Sequence, residues 1–175
     1  MSLESIAEAV RRARDVFARR PSAAEHDDST ALTTWQAGLR CVSTHPSGAQ
    51  FTTDMPREVG GSGEHVTPGW FFRAGLAACT ATTIAARAAD EGIDLTVLEV
   101  RVDSRSDARG FLAMQGEDGS PVCAAPSEIR MHVRIAARGA SAQALHEFVA
   151  RAQRCSPIQQ AMVTGTPLTV SVELA

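Results

Sequence analysis

The sequence predicts an α+β fold, with an antiparallel sheet covered on one face by a long central helix. Three observations predict it. Residues 98–102 and 129–135 alternate apolar and polar, as half-buried strands do. Residues 67–91 hold one helical stretch with almost no bulk in its middle, AGLAACTATTIAARAA. The order of elements runs helix, strands, helix, two long strands, helix, strand, and no internal repeat breaks it.

The first element is an amphipathic helix over about residues 3–20. Leu3, Ile6, Val10, Ala13 and Phe17 recur at steps of three and four. Glu4 and Glu8 stand near its start and five arginines toward its end, as the helix dipole favours. Pro21 stops it, and residues 22–29 read as a polar linker. Residues 31–43 and 49–54 read as two strands joined by a turn at His45-Pro46-Ser47-Gly48. Gly60, Gly61 and Gly63 make a flexible loop that fits neither GxGxxG nor a phosphate loop.

Thr67-Pro68 is a helix start, with the threonine as N-cap and the proline at the first helical position. The helix runs to about Glu91, and Gly92 stops it. A helix this thin between Leu76 and Ile84 lets another backbone come close, so it is expected to be buried and crossed by a neighbour. The two long strands follow: Leu98, Val100 and Val102 alternate with acids and Arg101, and Ile129, Met131, Val133 and Ile135 with Arg130, His132 and Arg134. Ser141 caps a helix to Arg154, Ser156-Pro157 opens a short helical turn, and Leu168, Val170, Val172 and Leu174 mark a last strand.

The composition excludes several classes. All 17 basic residues are arginine, yet the net charge is −3, so nothing favours nucleic acid or an anionic membrane. No apolar run reaches the roughly 20 residues of a membrane span. Residues 1–17 do not read as a signal peptide, and the expected compartment is the cytoplasm, where thiols stay reduced. The four cysteines, Cys41, Cys79, Cys123 and Cys155, form no CxxC or CxxH pair, so no metal site and no cofactor is expected.

Cys79 leads the chemical candidates because it sits mid-helix among small residues. A plain thiol, with a pKa of about 8.5, is mostly protonated at neutral pH, so a reactive one needs a positive neighbour. The helix dipole helps little some three turns in from Thr67, so an arginine from elsewhere would have to serve. The other reading is a small, inert core cysteine. Cys155 is the candidate second thiol, able to turn a sulfenic acid into a disulfide; its other reading is an exposed, incidental cysteine. Cys41 and Cys123 read as structural or incidental, and the histidines do not cluster.

Asp54-Met55-Pro56-Arg57-Glu58-Val59-Gly60-Gly61, then Thr67-Pro68, then Ala74-Gly75-Leu76-Ala77-Ala78-Cys79, resembles the OsmC/Ohr family. Gly92-Ile93 before a long strand and a late Ser-Pro-Ile before the last one fit too, so the resemblance covers roughly residues 31–175 of a single OsmC-like domain spanning 1–175. It implies an intertwined homodimer, with sheets of both chains wrapped around two central helices and active sites at the interface. It also implies thiol-dependent reduction of organic hydroperoxides in oxidative-stress defence, with a dithiol as reductant. Cys79 falls on the family's peroxidatic position.

Other positions depart from the pattern. Gly69 stands where the peroxidase branch has a glutamate, and Gln36 aligns with its arginine, with Arg40 nearby and out of register. Ser156 stands before Pro157 where the second cysteine belongs, and Cys155 is one place early, an offset of about 100° at a helix start. The first reading is therefore a hydroperoxide reductase with Cys79 attacking and Cys155 resolving, and with Arg40, Arg57 or Arg73 replacing the missing arginine. Arg73, six residues before Cys79, falls on the opposite helix face. The second is a non-peroxidase dimer binding a small apolar ligand near Trp70, Phe71 and Phe72, although those aromatics read first as core packing. The third is a structural remnant without chemistry.

Overall fold

The computed structural model describes residues 2–174. Its contacts gather into two units, one formed by residues 9–75 and the other by the residues up to Glu8 together with those from Leu76 onward. Helix α1, Leu3–Arg19, has Glu4 in its first turn and Arg19 in its last. The segment read as a polar linker begins with a 3-10 turn, Pro21–Ala24.

In the first unit, β1 (Leu32–Ala37), β2 (Arg40–Thr44) and β3 (Gln50–Thr53) form an antiparallel sheet in that order. Residues 31–43 are therefore two strands and not the single one expected. The chain reverses at Gly38, whose φ of +58° suits a residue without a Cβ, and Trp35 Nε1 donates to the Gly38 carbonyl across the turn at 2.9 Å. The period-two pattern runs through this tight turn, which is why the reversal was hidden. Trp35 lies opposite Cys41, and Cys41 opposite Thr53. The turn at 45–48 forms as read, with Gly48 N donating to His45 O at 2.8 Å.

Between β3 and the long helix, residues 54–66 wrap around the Asp54 carboxylate. It is only 2% exposed and accepts from Met55 N, Ser62 N and Ser62 Oγ at 2.7, 3.1 and 2.6 Å. The Ser62 hydroxyl is the main cause that holds its pKa below the ordinary value, followed by the Met55 N–H; burial opposes, and the Ser62 N–H and the Arg40 charge add to the lowering. Gly61 is required here by contact: a Cβ would sit 1.8 Å from the Met55 carbonyl oxygen.

Helix α2, Pro68–Asp90, starts as the Thr67-Pro68 pair demands, with Thr67 Oγ1 accepting from Trp70 N at 3.1 Å. It ends at Gly92, whose φ is +70°. Leu76, Thr80, Ile84 and Ala88 recur every four residues and are its buried stripe.

In the second unit, β4 (Leu95–Arg105) pairs antiparallel with β5 (Glu128–Ala137), Val100 opposite Val133, with an irregularity between Leu95 and Val97. The connection holds a short helix, α3, Ala108–Phe111, capped by Asp107, which the pattern did not signal. Helix α4, Ala142–Ala152, begins with Ser141 accepting from Ala144 N, as read. A 3-10 turn, Gln153–Cys155, links it to α5, Pro157–Thr164. Past the thin stretch, Ile84 and Ala88 of α2 meet Phe148 and Ala152 of α4, and Leu95, Leu98, Val133 and Ile135 of the sheet close over them, while Ala78 and Thr82 within the stretch are exposed.

The last strand is the main correction. Residues 167–174 pair with no other strand among the described residues, and Leu168, Val170, Val172 and Leu174 are 75–91% exposed. Alternation specifies a segment that can be a strand, but a strand needs a neighbour to bond, and the described residues offer none here.

Candidate functional site

Cys79 lies about three turns into α2, half-buried, and is a free thiol. Its carbonyl accepts from Thr83 Oγ1 at 2.8 Å, so one more group of this helix segment is bonded locally. Its sulfur meets one hydroxyl: Ser156 Oγ donates to Cys79 Sγ at 3.4 Å. Ser156 is fully buried, and its Oγ is also 3.3 Å from Thr80 Oγ1. Ser156 has a single hydroxyl proton. With Thr80 donating to Ser156 Oγ, that proton is left for the sulfur, and the three side chains form one directed chain.

Ser156 is the N-cap of α5, yet its side chain makes no capping bond. An N-cap serine is worth about 1 kcal/mol to a helix. Here the hydroxyl is turned away from the α5 backbone and toward Cys79 and Thr80. α5 thus opens from the residue that touches the sulfur, and a helix N-terminus carries a partial positive charge that attracts anions.

Cys155 is one residue earlier, exposed, at the end of the 3-10 turn. Of the two neighbours, the serine and not the cysteine is aimed at Cys79. Cys41 is half-buried in β2, and Cys123 is exposed in the loop after α3. Gln36 is exposed on β1. Gly69 is exposed in the first turn of α2, where a Cβ would find ordinary contacts with Arg73 Nη1 at 3.7 Å and Thr67 Oγ1 at 3.9 Å. A side chain at 69 is therefore sterically allowed.

Of the three candidate arginines, Arg40 pairs through Nη2 with Glu64 Oε2 at 2.8 Å. Arg57 Nε donates to the Ser62 carbonyl at 2.9 Å and so belongs to the Asp54 loop. The pair Arg40–Glu64 was not predicted, because 24 residues separate its members and no local period links them.

The aromatics differ from their first reading as core. Trp70 and Phe72 are 48% and 41% exposed, while Phe71 stacks edge-on against Phe51 with centroids 5.3 Å apart. Phe51, Phe71, His45 and Thr30 help line a groove of about 290 Å³ in the first unit. Among the described residues no three His, Cys, Asp or Glu side chains gather as a metal site needs. No helix among them is long and apolar enough to cross a membrane.

Fold and site together define a mixed helix and antiparallel-sheet protein with a thiol on its longest helix. The sequence model of the OsmC-like protein family matches residues 61–171, and the chain belongs to that family. No curated protein matches the sequence. Among solved structures, the OsmC-like protein of Mycoplasma pneumoniae is similar with 20% identity and a TM-score of 0.59, over 81% of this chain and 89% of that one. An organic hydroperoxide resistance protein OsmC from Legionella pneumophila is similar with 22% identity and a TM-score of 0.56, over 79% and 90%. An OsmC-like protein of unknown function from Vibrio cholerae matches with 13% identity and a TM-score of 0.61, over 78% and 94%. At these identities the structures establish the fold.

Proposed function

We propose that this protein reduces organic hydroperoxides through the thiol of Cys79, in defence against oxidative stress, and that it works as a homodimer in the cytoplasm. The observation that carries the reading is the hydrogen bond from buried Ser156 to the Cys79 sulfur, which fixes the thiol in one orientation on a half-exposed helix face. Family membership supports it, as does the similarity to the organic hydroperoxide resistance protein of Legionella pneumophila.

The chemistry is a two-electron exchange. The Cys79 sulfur attacks one peroxide oxygen, an S–O bond forms and the O–O bond breaks. The departing alkoxide takes a proton and leaves as the alcohol, and Cys79 becomes a sulfenic acid. The exposed apolar alternation of 168–174 supports the dimer, since a second copy can supply the strand partner.

The test is peroxide consumption by the purified protein with cumene hydroperoxide and a dithiol. Turnover that Cys79→Ser abolishes supports the reading. No consumption, with no sulfenic acid at Cys79 after peroxide, rejects it.

A second reading has its own observation. The groove beside Phe51 and Phe71 suits a small apolar ligand. A melting temperature that rises with apolar ligands, in protein inert toward peroxide, would favour it.

A further inference from the structure

We infer that Cys79 operates as a single-cysteine centre: its sulfenic acid is resolved by an external small thiol, and no disulfide to Cys155 forms in the cycle. The inference rests on the reading of Cys79 as the peroxide-reactive thiol and adds the co-substrate that completes it.

The geometry around residue 156 carries it. A resolving thiol must be aimed at the attacked sulfur. The side chain that is so aimed is Ser156, at 3.4 Å, with no exposure. A hydroxyl can hold the sulfur by a hydrogen bond but cannot form an S–S bond. Cys155 is on the exposed side of the 3-10 turn. To bring it to Cys79, the segment 153–156 would have to turn Ser156 out, breaking its contacts to both Cys79 and Thr80. That leaves Thr80, also fully buried, without this partner. Cys79 itself is half-buried, so a small thiol from solution has a route to it.

The steps balance. The external thiolate attacks the Cys79 sulfenic sulfur, an S–S bond forms, and the hydroxyl leaves as water after taking a proton. A second external thiol attacks the outer sulfur of this mixed disulfide. The Cys79 thiol is restored, and the external thiol leaves as its own disulfide. Over the cycle one hydroperoxide is reduced to alcohol and water, and two thiols are oxidised.

The experiment uses the full chain, cumene hydroperoxide and 2-mercaptoethanol. Peroxide without thiol is expected to leave a dimedone-reactive sulfenic acid on Cys79 and no internal disulfide by mass. Added 2-mercaptoethanol is expected to give a mixed disulfide on Cys79 and then turnover. Cys155→Ser is expected to keep the monothiol-driven rate within about twofold of the parent. Ser156→Cys is expected to create an internal disulfide with Cys79, which marks position 156 as the one in reach. A Cys79–Cys155 disulfide in the parent protein, or a drop of about tenfold or more in Cys155→Ser, overturns the inference and leaves the peroxidase reading intact. Absence of any sulfenic acid on Cys79 and of any peroxide consumption removes the peroxidase reading, and this inference with it.

Discussion

Ser156 and Cys79 are 77 residues apart in sequence and meet at 3.4 Å, hydroxyl to sulfur. The serine stands at the N-cap position of α5 without a side-chain capping bond, and it is fully buried. Both facts follow from one cause. The hydroxyl is bound on α2, to Cys79 and Thr80, so it is unavailable to the α5 backbone. The contact fastens the start of α5 to the middle of the long helix.

Ser156→Ala should therefore be destabilising by about 1–3 kcal/mol, because Thr80 loses a buried partner while no cap is lost. For a chain of this size that is a fall in Tm of roughly 2–4 °C per kcal/mol. The same variant should change the rate at which iodoacetamide alkylates Cys79. An unchanged Tm and an unchanged alkylation rate would show that the contact contributes nothing.

Asp54 predicts a pH dependence. Its folded carboxyl has a pKa below the ordinary value of 3.8, with the Ser62 hydroxyl as the main cause. The stabilisation it gives is full above the unfolded value and is lost as pH falls through the folded one, that is, below about 3.8. In Asp54→Asn the amide presents a donor and one fewer acceptor to Met55 N, Ser62 N and Ser62 Oγ. The variant should melt lower at pH 7, and its disadvantage should shrink in acid below that point. A constant difference from pH 7 to pH 3 would contradict the assignment.

Two glycines should respond differently to alanine. At Gly61 the new methyl would meet the Met55 carbonyl at 1.8 Å, so the 55–63 loop must move. At Gly92 nothing is near, and only the positive φ of +70° is strained. Gly92→Ala should cost about 1–2 kcal/mol, and Gly61→Ala more, with the Asp54 bonds broken. Urea unfolding of both variants checks the order, and equal costs would refute it.

The exposed strand-like end gives the fourth. Val170→Asp with Val172→Asp should turn a dimer into a monomer, read by light scattering, because two buried carboxylates cannot be tolerated at a paired face. A parent protein that is already monomeric at micromolar concentration would reject the dimer.

Much of this was legible in the residues. Period-two alternation marked β4 and β5, Thr67-Pro68 and Gly92 marked both ends of α2, and Ser141 marked the start of α4. These signals are local: each rests on residues within a few positions, whose backbone preferences and polar caps act whatever the rest of the chain does. The place of Cys79 on the thin helix was legible for the same reason. The reversal at Gly38 was not, since a tight turn inside an alternating run leaves the period intact. Nor was the fate of residues 168–174, because alternation describes a side-chain pattern, while a strand exists through bonds to another strand.

Only the tertiary structure decided what faces the thiol. Sequence order placed Cys155 and Ser156 side by side and could not say which of them points to Cys79. That choice depends on the path of the chain from α4 through the 3-10 turn into α5, and on the buried hydroxyl partner that Thr80 provides. The pairing of Arg40 with Glu64 is of the same kind. Contacts between distant residues are set by packing, which no local period encodes.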